Sequence, residues 1–506
     1  MELDRRRFIK FVLAGSIAAY CPIDLPLRAQ PSPDIAGEHF EVCHQVRDGH
    51  LFATPVPSAR HDIAIIGGGV SGLTAAYLLR GHDFVLLEKE PHWGGNAFTD
   101  QYEGQEFATG AAFTGKGDPA SRLAKEIGLE PLPIDSPDGT MVNGVFVPDT
   151  WRSGLDHLPY PAAVVRGFRK FRDDMLRVKL KARATELDAI PLAKFLQGYP
   201  KEVSEWWDAF GRSNWGGAAA ETSAMVGIGD LHYMAAQGPD DRVTFAGGLG
   251  AITRELAAVL SRSHADRMYA GATTVAVVPE RGRVIVTYVR DGQVKSLQAK
   301  AAIIAIPKFV ARRVVAGLPD AQSQAMARIP YAPYAVVNLI FDRPVFNRGY
   351  DTWCPGNAFT DFIVADWVIR NRPGYRQRNN ILTCYTPLAQ TRRAELLTED
   401  GCRRLAARVL SDFCKLFPKA NGNPVEVHLY RRGHPMMVSA PRIYTEVMPA
   451  ARRPMERVFF ANTDARGPVS STDGAIAAAR HAVEDVQRLF ASRPAGARTS
   501  SEAGVS

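Results

Sequence analysis

The run Gly67-Gly68-Gly69-Val70-Ser71-Gly72 sets glycines at 67, 69 and 72, the spacing of a loop that cradles phosphate. Gly67 permits a tight turn, Gly69 lets the backbone approach a pyrophosphate, and Gly72 lets a helix pack closely on a strand. The unpaired N–H groups at the start of that helix then face the anion. Glu88 follows 21 residues after Gly67, where a carboxylate can accept hydrogen bonds from an adenosine ribose. Such a loop works only between a strand and a helix, and the sequence supplies both. Asp62 to Ile66 reads as a short buried strand, Leu73 to Arg80 has helical apolar spacing, and Phe84 to Leu87 is a second strand. Together they make a βαβ unit that binds a dinucleotide, without saying which one.

Three further segments bear on the choice. Trp93-Gly94-Gly95-Asn96 lies just past Glu88, Phe245-Ala-Gly-Gly-Leu-Gly-Ala-Ile252 leads into a helix, and Phe460-Ala461-Asn462-Thr463-Asp464 precedes Gly474-Ala475-Ile476. In these the sequence resembles the flavin-containing amine oxidoreductase family over roughly residues 60–490. The resemblance implies FAD as cofactor. It also implies a fold of the α/β class: a Rossmann-like FAD-binding domain of the amine-oxidase type with a discontinuous α+β substrate domain. Carried over residue by residue, it places Gly94, Gly95 and Asn96 along the flavin phosphates. Gly110 and Ala111 approach the flavin, Val275 lies in the strand that meets the adenine, and Asp464 binds the ribityl chain. A helix starting near Ala475 points its N-terminal dipole at the flavin, where it favours the reduced anion. Asn96 stands where the family usually has arginine, so one ionic contact is missing. The stretch from His39 to Gly49, Arg432-Gly433-His434-Pro435, and Ala461 to Asp464 with Thr472-Asp473 are similar to bacterial exported spermidine dehydrogenases.

Two departures shape the expected chemistry. Many family members carry a lysine, water-linked to flavin N5, in the strand after the Ala-Ile-Pro segment. Here that strand, Tyr331 to Asn338, has none, although Lys308 could occupy the same space. The aromatic that usually precedes the last Gly-Ala is Ser471. Flavin supplies the chemistry, so no essential protein acid or base need be visible. Pocket candidates are His434, Trp353 and Asn338, and Asp361 and Asp366 could meet a cationic substrate, although solvated surface carboxylates are the commoner case. The leading expectation is oxidation of an amine, with a polyamine among the options, by a dehydrogenase rather than an oxidase. An isoprenoid or carotenoid desaturase or isomerase, which would need a long apolar tunnel, and a non-catalytic flavoprotein are the alternatives.

Other chemistries find little support. The six cysteines form no CxxC or CxxCH pair, so no metal site or covalent haem is indicated. Gly110 to Lys116 has the spacing of a triphosphate-binding loop, but Gly117 replaces the magnesium-binding Ser or Thr. The net charge of +8 over 506 residues is mild and spread out and argues little for nucleic acid, which is not expected as a partner. Asp4-Arg5-Arg6-Arg7-Phe8-Ile9-Lys10, followed by apolar Phe11 to Tyr20, resembles a twin-arginine export signal, with cleavage after Ala29 and a periplasmic product. That apolar stretch is shorter than the ~20 residues a membrane span needs.

Residues 1–29 are therefore read as the signal and 30–57 as an irregular lead-in. Residues 58–120, 245–312 and 430–490 form the FAD-binding domain, 121–244 and 313–429 the substrate domain, and 491–506 a disordered tail. Val164 to Leu180 sets Val164, Phe168, Phe171 and Met175 on one face of a basic helix, a core stripe rather than a membrane-surface contact. The partners expected are a small-molecule substrate and an electron acceptor, either a quinone or a redox protein.

Overall fold

The computed structural model describes residues 31–236, 240–418, 423–466 and 470–492; the segment 1–29 expected to be an export signal and residues 493–506 of the expected tail lie outside them. Two large sheets organise the chain. The first has the strand order Met268–Tyr269, Phe84–Leu87, Ala59–Ile66, Gln293–Ile304, Arg283–Arg290, Thr273–Glu280, and Val458–Phe460 joins it beside Gln293–Ile304. Ala59–Ile66 pairs in parallel with both Phe84–Leu87 and Gln293–Ile304. Parallel strands are covered on both faces, and the alternation shows how. Ile63, Ile65, Phe84, Leu86 and Ile303 pack against the helices Val70–Leu78, Gly250–His264 and Thr472–Ala491. Ala64, Ile66, Val85, Leu87 and Ile304 face the opposite core, which holds Ala311, Met326 and Met448. This is the Rossmann-like layer expected from the glycine loop and its flanking strands.

The second sheet runs Asp34–Gly37, Glu426–Met437, Tyr331–Phe341, Asn380–Pro387, Asp361–Val364, Asp351–Trp353, Gly139–Val142, Val145–Pro148. Every residue of its central strand Tyr331–Phe341 is buried. Ala335, Val337, Leu339 and Phe341 meet the helix Glu399–Leu416, whereas Tyr334, Val336 and Ile340 turn to the other face. Beside that sheet, helices Ala162–Leu176, Lys201–Trp215 and Ala224–Ala235 close around Trp151, Trp206, Trp207 and Trp215. The apolar stripe of Ala162–Leu176 is spent on this core: Phe168, Phe171 and Met175 are buried, with Val164 half-buried.

The lead-in differs from expectation. Within 30–57, Asp34–Gly37 is a strand parallel to Glu426–Met437, and Glu41–Arg47 is a helix. A four-residue edge strand has no apolar alternation to announce it, and its pairing partner lies almost 400 residues away. The same pairing corrects the boundary at 430: residues 430–437 belong to the second sheet, not to the FAD-binding layer.

Candidate active site

One cavity of about 1230 Å³ runs between the two sheets. Gly67, Gly69, Glu88, Gly94, Gly95, Asn96, Gly110, Ala111 and Ala475 all line it. The loop glycines divide their work. A Cβ on Gly72 would fall 1.7 Å from Gly67 O, and Gly67 itself has φ +105°, so both are demanded by the chain's own packing. At Gly69 a Cβ would meet nothing closer than Gly95 Cα at 3.9 Å, and the space beside it is cavity. Gly69 and Gly94 form a backbone bridge, which joins the loop to the second glycine segment. Glu88 accepts from Gly68 N at 2.5 Å and Glu90 N at 2.8 Å, which orient its carboxylate at the cavity wall. Burial pushes that carboxyl above the usual carboxylate range, with Lys89 and the two backbone donors opposing it. At the same end Thr273 and Thr274 line the cavity, whereas Val275 is buried beneath them.

The closing motif holds one correction. Asp464 does not reach the cavity. Its Oδ1 pairs with the Lys308 ammonium at 2.5 Å, and its Oδ2 accepts from the Lys308 backbone N–H at 2.7 Å and from the Tyr331 hydroxyl. Both members of the ion pair have fully buried side chains. A carboxylate already holding three donors is not placed to bind a ribityl chain; its neighbours Asn462 and Thr463 line the cavity instead. The same pairing removes Lys308 from any role beside a bound cofactor. Ser471, where an aromatic was expected, caps the helix Thr472–Ala491 by accepting from Gly474 N at 3.1 Å. That helix start, with Thr472 and Ala475, forms part of the wall.

The other end of the cavity is acidic and aromatic. Strand pairing sets Trp353 opposite Asp361 and Asp351 opposite Ile363, so Asp351, Trp353 and Asp361 share a face. Asp138 and Asp240 also line this end and ion-pair with Arg242. Asp351 is 2% exposed, and its Oδ1 has no hydrogen-bond partner among the described residues. Burial, with Asp138 and Asp361 as further negative neighbours, pushes its carboxyl well above the usual range. Asp361 accepts from the Thr360 hydroxyl at 2.6 Å and is pushed up to about 7 by burial. Trp353, 4.7 Å from Phe210 and 5.9 Å from Trp206 between ring centroids, walls this end. Tyr385 donates to Gly110 O at 2.8 Å and links the acidic end to the glycine segments.

The remaining candidates divide. His434 lines the cavity, its ring tilted against Phe309 with centroids 4.4 Å apart, and burial pushes it down to about 4, so it is neutral at physiological pH. Asn338 does not line it: it is fully buried and accepts from the Thr383 hydroxyl at 2.7 Å. Asp366 is buried too, but it is held by Arg370 and Tyr375 and does not line the cavity. The residues sequence reasoning missed are Asp138, Asp351 and Arg242, together with Ala36, Gly37 and Glu38 of the lead-in, while Arg432 and Cys43, which lie in the resembling segments but were given no role, also reach the wall. No group of His, Cys, Asp and Glu able to hold a metal occurs among the described residues.

Comparison with known proteins bears on the cofactor. Residues 70–487 match the family described as flavin containing amine oxidoreductase. The chain belongs to this family. Human flavin-containing amine oxidase B is 23% identical over 86% of this chain and 88% of that protein. Oxidoreductase PigB from Serratia sp. (strain ATCC 39006) is 22% identical over 84% of this chain and 76% of that protein. A solved structure of putrescine oxidase bound to putrescine shares the fold, with TM-score 0.66 and 18% identity over 85% of this chain and all of that one. The family's cofactor is FAD, and the residues here fit it. The open space at Gly69 suits a pyrophosphate and Glu88 suits a ribose, while the capped helix start suits the flavin's developing negative charge.

Proposed function

We propose that the protein is an exported amine dehydrogenase whose preferred substrates are polyamines. The observation that carries this reading is the acidic end of the cavity, where Asp138, Asp240, Asp351 and Asp361 outnumber the cation Arg242. A protonated amine supplies the charge that Asp351 Oδ1 lacks, and the neighbouring rings of Trp353 and Phe210 favour a cation near their faces. Burial favours the protonated acids of Asp351 and Asp361, and a bound cation favours their ionised forms, so cation binding and ionisation of this end are coupled. A long apolar polyene has no use for four carboxylates, so the desaturase alternative loses ground.

FAD, when bound, supplies the acceptor for hydride from the carbon next to nitrogen. The protein's part is to hold a distal ammonium of the polyamine at Asp351 and Asp361, while the nitrogen being oxidised is the neutral amine, and to exclude bulk water with the aromatic walls. A water admitted afterwards hydrolyses the imine product. Among the described residues Lys89 is the one lysine of the wall, ion-paired with Glu90 beside Glu88. The wall near Tyr334 and Val336 thus carries no ammonium among the described residues, which supports a dehydrogenase that passes electrons to a quinone or redox protein. Similarity to the exported spermidine dehydrogenases, and the putrescine held by the structural neighbour, support the polyamine reading.

The test is anaerobic flavin bleaching by monoamines, diamines, polyamines and polyenes, followed by mixing the reduced protein with a quinone or with air-saturated buffer. Bleaching by polyamines at the lowest concentrations and faster reoxidation by quinone are expected. Bleaching by polyenes alone, or by nothing offered, would overturn the amine reading; equal reoxidation by oxygen would overturn the dehydrogenase part.

A further inference from the structure

Among the described residues, four cationic side chains line the cavity: Lys89, Arg152, Arg242 and Arg432. Three are ion-paired, Lys89 with Glu90, Arg152 with Asp149, and Arg242 with Asp138 and Asp240. Arg432 is the exception. It is 9% exposed, and among the described residues no carboxylate stands within ion-pair distance of it. Its Nη1 donates to Thr109 O at 2.5 Å and its Nη2 to Thr109 Oγ1 at 3.1 Å. A guanidinium has five N–H donors, so three remain for whatever fills the cavity. An unpaired buried cation is costly, and such a group persists where a ligand completes it.

Position decides which ligand. A Cβ added to Gly110 would stand 3.7 Å from Arg432 Nη1, and the same Cβ would collide with Asn96 O at 2.1 Å. Arg432 therefore sits against the junction of Gly110 with Gly95-Asn96, and Gly94 is bridged to Gly69 of the phosphate loop. Asn96 has no charge to offer there; its Nδ2 donates to Pro435 O at 2.8 Å, back onto the strand that carries Arg432. That strand, Glu426–Met437, comes from the second sheet.

We propose that Arg432 is a cofactor-binding residue whose guanidinium neutralises the FAD pyrophosphate, supplying from the second sheet the cation that the glycine segment lacks at Asn96. Burial pulls the guanidinium below its usual range, with Glu38 and Glu90 opposing from a distance, and it stays a cation at any physiological pH. The assignment rests on FAD as cofactor and is independent of which substrate is oxidised.

FAD retention tests it, read as free-flavin fluorescence when purified holoprotein is diluted. Arg432→Gln is expected to weaken FAD binding about tenfold or more, because a charge-assisted fork is lost. Its affinity should also vary less with ionic strength than that of the wild type. Asn96→Arg in the Arg432→Gln background returns a cation to the same place and is expected to recover most of the loss. FAD affinity within about twofold of wild type in a folded Arg432→Gln protein would overturn the assignment. So would a loss confined to substrate affinity, which would mark an anionic substrate as the ligand. If Arg432→Gln does not accumulate as folded protein, Arg432→Lys and the double variant carry the test. FAD retention by both supports the assignment, and a folded, colourless double variant overturns it.

Discussion

Asp361 shows how strongly one side chain can set the behaviour of the site. In an unfolded chain an aspartate titrates near ~3.9; in the fold, burial pushes this one up to about 7, with Asp138 adding to the shift and the Thr360 hydroxyl opposing it. Between those values the unfolded chain releases the proton while the folded protein keeps it, so stability falls as pH rises through that window. Asp361→Asn removes the penalty. Its melting temperature relative to wild type should therefore climb between pH 5 and pH 8 by roughly one or two degrees, the scale expected for one or two kcal/mol in a chain of this length. Thermal melts of the two holoproteins at both pH values check this, and a constant difference would mean that Asp361 ionises freely in the fold. The same residue shows where sequence reading stops. Asp361 reads as a solvated carboxylate because nothing local marks it as buried; only the register that sets it opposite Trp353 turns it inward. Asp464 is the converse, assigned to a ligand by its motif but consumed by Lys308, 156 positions away.

Local elements were legible where one short stretch carries its own geometry. The strand–loop–helix around Gly67 lies where the spacing places it, and so does the closing helix, observed as Thr472–Ala491. The second sheet was much less legible, because its strand order joins segments from both ends of the chain. The glycine loop offers a contrast within one element. Gly72→Ala forces a Cβ to 1.7 Å from Gly67 O, so the strand and helix must part; soluble, folded protein should be lost. Gly69→Val places its side chain toward Gly95 Cα and the open cavity, so the chain should fold without its flavin. Expression, near-ultraviolet circular dichroism and the visible flavin spectrum separate the two. A yellow Gly69→Val protein would mean that the pyrophosphate lies elsewhere, and a stable Gly72→Ala protein would contradict the packing described.

At the scale of the whole molecule, the cofactor cavity is walled by pieces far apart in sequence. Ala36, Gly37, Glu38 and Cys43 line it from the segment directly behind the proposed export signal, and Val70 and Ala475 line it from the two ends of the family match. Glu38 accepts from Gly433 N at 2.8 Å, and His39 pairs with Glu90 at 2.5 Å, so this segment is fastened to both sheets. A cofactor held between such distant pieces finds its complete site only when they have come together, that is, in the folded protein. A protein of this build suits an export route that carries folded cargo, and a route that threads an unfolded chain would have to load FAD afterwards. The arginines Arg5, Arg6 and Arg7 precede the apolar stretch that begins at Phe11. Changing all three to lysine keeps the charge and the apolar stretch but removes the paired guanidinium groups. The expected outcome is accumulation in the cytoplasm of full-length protein that is already yellow, measured by fractionation and flavin absorbance. Arg5 and Arg6 alone are the weaker test, since the remaining Arg7 can rescue partial recognition. Undiminished periplasmic delivery of the triple variant would show that another route is used. Colourless protein in the cytoplasm would show that FAD is acquired only after crossing and that loading does not precede export.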